Sequence, residues 1–60
     1  MKLYEIPRES KIYGKLDDGS EYLIFHYIDG MYSSCTTEKG GITQIHVMED
    51  LIEFKDGYRI

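Results

Sequence analysis

Sixty residues with a net charge of −4 make one small domain, too acidic for bulk nucleic-acid binding, whose affinity comes largely from phosphate neutralisation. A chain of this length buries only about 60% of its unfolded surface, so its stability is marginal. Cys35 is the only cysteine, which excludes an internal disulfide, and no Cys/His cluster offers a structural zinc.

Met1 to Pro7 reads as a lead-in, with Leu3, Tyr4 and Ile6 packing onto the domain and Pro7 preventing a regular ladder. Lys11 to Leu16 is the first predicted strand, and Asp17 to Ser20 is its turn. Tyr22 to Ile28 and Met31 to Thr37 follow, joined by Asp29-Gly30. Ile42 to Met48 comes after Gly40-Gly41 as the fourth strand. Asp-Gly and Gly-Gly supply the positive φ angles of two-residue hairpin turns, and the flanking Tyr, Ile, Phe and Thr suit a half-buried pleated surface. Glu49-Asp50 interrupts the pattern, Leu51 to Phe54 is a short fifth strand, and Tyr58 to Ile60 adds a last piece after Asp56-Gly57. Turn signals recur roughly every 11 residues, the spacing of a small all-β sandwich or barrel. No window has helical periodicity, and the longest nearly apolar run, Tyr22 to Ile28, is too short to cross a membrane. The expected fold is therefore all-β: a five-stranded antiparallel SH3-like barrel built from consecutive hairpins.

Pairing the strands by these turns sorts the side chains. Tyr27 faces Tyr32, Phe25 faces Ser34, Ser34 faces Val47, and Ile12 faces Phe25. The expected core is Ile12, Leu16, Leu23, Phe25, Tyr27, Tyr32, Ile45 and Val47, with Ser34 and Thr36 small enough to let a strand curve. The expected outer face carries Tyr13, Tyr22, Ile24, His26, Ile28, Met31, Ser33, Cys35, Gln44, His46 and Met48. A water-facing sheet surface is normally polar, and a half-apolar one is what binding surfaces and oligomer interfaces look like. With no disulfide or metal to add stability, self-association into a homo-oligomer is the remaining means.

The same register sets His46 opposite Cys35 and His26 opposite Ser33. No carboxylate in the pattern orients either imidazole, so catalysis is not expected. Three residues without close spacing do not make a metal site, and no cofactor is expected. The histidines read instead as polar members of the outer face. Six tyrosines and no tryptophan supply flat stacking surfaces, with Tyr13, Tyr22 and Tyr32 placed to stack a base. The plain alternative is that tyrosine fills half-buried strand positions. Backbone N–H groups at Gly40-Gly41, with Lys39 beside them, suit a phosphate, although the turn is not a P-loop.

Charge is unevenly placed: Lys2, Arg8, Lys11 and Lys15 against Glu5 and Glu9 leave +2 before Asp17, and the remainder carries −6. The basic cluster suits a small anion or blunts a strand edge. The scattered acids do not form the continuous negative surface of a DNA mimic.

Phe25 to Cys35 (FHYIDGMYSSC), with the lead-in Ile6-Pro7-Arg8-Glu9-Ser10-Lys11-Ile12, resembles short accessory proteins encoded by bacteriophages, and the strand order resembles an SH3-like or Sm-like small barrel. The resemblance implies a non-enzymatic protein that binds a host component. One class of such proteins, the viral sponges, is anti-defence: it sequesters cyclic nucleotide signals at subunit interfaces. The expectation is capture of a small nucleotide between subunits that associate through the outer face, with tyrosines stacking the base. His26, Ser33, Gln44 and His46 would read polar edges, and Arg8, Lys11, Lys15 or Lys39 would neutralise phosphate. The main rival is a protein-interaction module that inhibits a host enzyme or defence complex, and the second is a small nucleic-acid-binding barrel. A lone cysteine and no secretory leader place the expected location in a reducing cytoplasm.

Overall fold

The computed structural model describes every residue from Met1 to Ile60. It contains six strands and no α-helix: β1 (Lys11–Tyr13), β2 (Tyr22–Asp29), β3 (Tyr32–Thr37), β4 (Ile42–Thr43), β5 (Ile52–Phe54) and β6 (Gly57–Arg59). A single 3-10 turn spans Leu3–Glu5. The all-β expectation holds. The five-stranded antiparallel closed barrel does not: the strands form one open, mixed sheet in the order β4-β3-β2-β1-β6-β5. The added strand is the Tyr58 segment, which pairs antiparallel with β5 and parallel with β1 through Ile12↔Tyr58 and Tyr13↔Arg59. Hairpins are announced by their turns, whereas a parallel pair joins distant segments and leaves no local signal. Gly57 is required here, because a Cβ on it would collide with the Lys11 carbonyl oxygen.

The turns fall one position away from the two-residue loops predicted. The β2–β3 hairpin closes with Asp29 opposite Tyr32, so Gly30-Met31 is its loop, with Gly30 at φ 69°. The β3–β4 loop is Glu38-Lys39-Gly40: Thr37 donates to the Gly41 carbonyl at 2.8 Å, and Gly40 takes φ 90°. This is the three-residue loop in which a type I turn is followed by a left-handed residue. A β-bulge lies in β2 between Phe25 and Tyr27, where two steps on β2 match one step on β3. The bulge inverts β3 relative to the expected register. Cys35 faces Phe25, and Ser33 and Cys35 are buried, while Ser34 and Thr36 turn outward. Tyr27 and Tyr32, expected inside, are 46% and 48% exposed. The β3–β4 register also slips by an odd number, with Thr36 opposite Ile42 and Tyr32 bridging His46. The two inversions cancel, so Ile45 is buried and Val47 packs against the core as expected.

The core is Leu3, Ile6, Ile12, Leu23, Phe25, Cys35, Ile45 and Leu51, with Leu16, Val47 and Tyr58 packed against it. The lead-in closes over its open side. Leu3 N–H donates to the Glu49 carbonyl at 3.0 Å, Tyr4 N–H to Val47 at 3.2 Å, and Leu51 N–H to Met1 at 2.7 Å. No buried side-chain nitrogen or oxygen lacks a partner.

Candidate functional site

Directly paired residues share a sheet face, so the register defines the outer surface. One row runs Lys11, Ile24, Thr36, Ile42, and a second runs Ile52, Arg59, Tyr13, Tyr22. At the end of this face where β1, β5 and β6 meet the start of β2, three aromatic rings and three cations converge. Tyr13 packs edge-on against Tyr22 at 6.2 Å and against Phe54 at 5.2 Å between centroids. The Lys11 ammonium lies 4.5 Å from the Tyr22 centroid and 5.3 Å from that of Tyr13. Lys55 lies 5.3 Å from Tyr13 and 5.1 Å from Phe54, and the Arg59 guanidinium is 5.8 Å from Phe54. Cations seated over ring faces are attracted by the ring quadrupole.

Asp56 organises this cluster. The Tyr13 hydroxyl donates to Asp56 Oδ1 at 2.6 Å, and Lys11 Nζ lies 3.8 Å from Asp56 Oδ2. Donation to Asp56 holds the Tyr13 phenol above its ordinary pKa of 10.0, and the same bond pulls the Asp56 carboxyl below 3.8. Tyr13, and after it Asp56, holds the Lys11 ammonium above 10.5. Lys11, Lys55 and Arg59 against Asp56 make a cationic site on a chain whose net charge is −4. Lys55 is also one of two non-glycine residues with positive φ, at 50°, so the β5–β6 turn holds it in a conformation that costs free energy.

Of the residues anticipated from sequence, Tyr13, Tyr22 and Lys11 belong to this cluster. Tyr32 and His46 stand together elsewhere, their rings 5.2 Å apart. Gln44 and Arg8 are exposed. Lys15 and Lys39 line a separate cleft with Asp17, Glu21 and Glu38, whose carboxylates offset the two lysines. The Gly40-Gly41 donors are engaged internally: Lys39 N–H to Ser20 Oγ at 3.1 Å, Gly40 N–H to the Thr37 carbonyl at 2.9 Å, and Gly41 N–H to Thr37 Oγ1 at 2.9 Å. Ser33 is not on the outer face. Its buried hydroxyl donates to the Ile45 carbonyl at 2.9 Å and accepts from Ile45 N–H at 3.1 Å. Cys35 is buried beside it, and burial pushes its thiol pKa above 9.0, so neither pairs with a histidine.

Phe54, Lys55 and Arg59 were not anticipated, because β5 and β6 reach the site only through the parallel pairing. Glu9 was missed as well. It takes φ 69°, and its carboxylate meets His26 Nδ1 at 2.9 Å, while His26 Nε2 meets Thr36 Oγ1 at 2.7 Å. A carboxylate therefore does orient one imidazole. His26 occupies the bulge on the outer face, as expected, and the inversion of β3 brings Thr36 out beside it. Glu9 N–H donates to the Phe25 carbonyl at 2.7 Å, so the array ties the lead-in to the bulged strand. No group of three His, Cys, Asp or Glu residues converges to hold a metal ion. No helix is long and apolar enough to cross a membrane. No family model, curated protein or solved structure matches this chain.

Proposed function

We propose that this is a non-enzymatic binding protein that captures a small nucleotide on the outer face of its sheet. The observation that carries this reading is the convergence of Lys11, Lys55 and Arg59 on Tyr13, Tyr22 and Phe54. A nucleotide joins a planar π-system to an anion, and the cluster offers complements to both. Phosphate draws the cations off the rings, and the uncovered rings then receive the base. Stacking on an aromatic side chain contributes about 1–3 kcal/mol per base. The aromatic and cationic groups come from a single chain, so capture needs no side chain from a second subunit. In the setting implied by the resemblance to bacteriophage accessory proteins, the ligand is a cyclic nucleotide signal and the role is anti-defence sequestration.

Isothermal titration of the purified protein with cyclic mono- and dinucleotides tests this reading. Tyr22→Ala weakens capture about 5- to 150-fold, the equivalent of one lost stack. Lys11→Ala with Lys55→Ala weakens it further and flattens its salt dependence. Absence of binding to every nucleotide, with retention of a host protein on the immobilised chain, would favour the rival reading of an inhibitory protein-interaction module.

A further inference from the structure

We infer that the β2–β3 hairpin end of the molecule is a self-association surface, and that its occupant is a second copy of this chain. Five large apolar side chains are left open there: Tyr27 at 46%, Ile28 at 43%, Met31 at 65%, Tyr32 at 48% and Met48 at 51% exposure. Hydrogen bonds and a bridge draw Met31, Tyr32 and Met48 to the His46 segment, while Tyr27, opposite Ser34, and Ile28, opposite the buried Ser33, flank the same hairpin end on its two faces. Tyr32 bridges His46, Val47 N–H donates to the Met31 carbonyl at 3.0 Å, and Met48 N–H donates to His46 Nδ1 at 3.1 Å.

Charge is sparse in the same region, where the exposed Asp29 sits opposite Tyr32. Asp29 is the only formally charged residue between Tyr22 and Thr37 or between Ile42 and Met48. Two chains of net charge −4 repel at long range, and a contact surface with Asp29 as its one acid keeps most of that charge apart. Tyrosine and methionine are enriched in interface cores, where lysine and glutamate are depleted.

The area fits a dimer. A standard interface buries about 800 Å² per partner, of which about 65%, roughly 500 Å², is apolar in homodimers. At about 200 Å² per fully exposed side chain, the five residues supply roughly 500 Å² wrapped around the hairpin tip, with Tyr27 on the outer side and Ile28 on the inner. A copy of the chain makes this contact isologous, so one patch serves both partners, and it adds the burial that so short a chain lacks. The surface lies at the Asp29 end of β2, whereas the aromatic and cationic cluster lies at the Tyr22 end. The inference is thus independent of nucleotide capture and leaves one open cluster on each copy.

Sedimentation velocity on the full chain tests it, with far-UV circular dichroism on each variant. The expected mass at about 100 μM is twice 7.0 kDa. Met31→Glu and Tyr27→Glu each raise the dimer dissociation constant at least about 30-fold with an unchanged spectrum, the size of an interface hot spot. Ile42→Glu, at the 85% exposed β4 edge, leaves the dimer intact. A folded wild-type monomer at that concentration would overturn the inference, and so would a dimer that survives both hairpin variants or is lost with Ile42→Glu. A monomer that instead retains a host protein through this surface also overturns it.

Discussion

Ser33 completes a backbone ladder with its side chain. Its hydroxyl both donates to the Ile45 carbonyl and accepts from the Ile45 N–H, in a position with no access to water. Ser33→Ala leaves that N–H unsatisfied, and a buried orphan donor costs about 1–3 kcal/mol. Urea unfolding of the variant therefore shows a lower midpoint by that free energy with an unchanged slope. The neighbouring Cys35 thiol is 3.2 Å from Ser33 Oγ and is kept protonated by burial, so it is a core residue without nucleophilic character. The two non-glycine residues with positive φ, Glu9 and Lys55, each carry a side chain of the outer face, one holding His26 and the other capping Tyr13 and Phe54. Backbone strain collects where side chains must be aimed.

Among the elements, the β2 bulge and the β6 strand matter most. The bulge turns β3 over and thereby chooses Ser33 and Cys35 for the core in place of Ser34 and Thr36. The β6 strand carries Arg59 beside Tyr13 and positions the turn that holds Lys55. Its approach to β1 depends on Gly57, where a Cβ meets main chain that cannot swing aside. Gly57→Ala therefore separates β6 from β1, destabilises the fold by about 2–3 kcal/mol and scatters the cluster. Thermal unfolding reads the first effect. Loss of the Tyr13–Phe54 contact between aromatic protons in NMR spectra reads the second.

Across the whole molecule, three exposed aspartates tie segments far apart in sequence. Asp18 accepts from Thr37 Oγ1 at 2.7 Å, Asp50 pairs with Lys2 at 2.8 Å, and Asp56 accepts from Tyr13. These partners, Thr37, Lys2 and Tyr13 respectively, pull each carboxyl below its ordinary 3.8. A depressed folded-state pKa contributes stability above the unfolded value that is lost as pH falls through the folded value. The thermal midpoint thus holds from neutrality down to about pH 4 and falls below it. Lys2, held above 10.5 by Asp50, and Lys11 and Tyr13 are raised, so their contribution is present below their unfolded values and fades as pH rises past about 10.5. All these groups are open to solvent, so added salt shrinks both limbs. Melting curves across pH at low and high salt check the sign of each limb.

Strand content, the core positions Ile12, Leu23 and Phe25, and the outer-face placement of Tyr13 and Tyr22 were legible from alternation and turn residues. These are local properties: a period of two and a glycine at positive φ act within a few neighbours. The even slip of the β1–β2 register left its faces intact, with Ile12 opposite Leu23 instead of Phe25. The bulge, the parallel β1–β6 pair, the Glu9–His26 contact and the recruitment of Phe54, Lys55 and Arg59 were decided only by tertiary structure. Each joins segments brought together by closure of the core, or inserts a single residue whose cost depends on what it faces. A one-residue change inverts a strand, so the inner and outer faces of β3 were settled by packing against Phe25 and Ile45, not by the alternation of the strand itself.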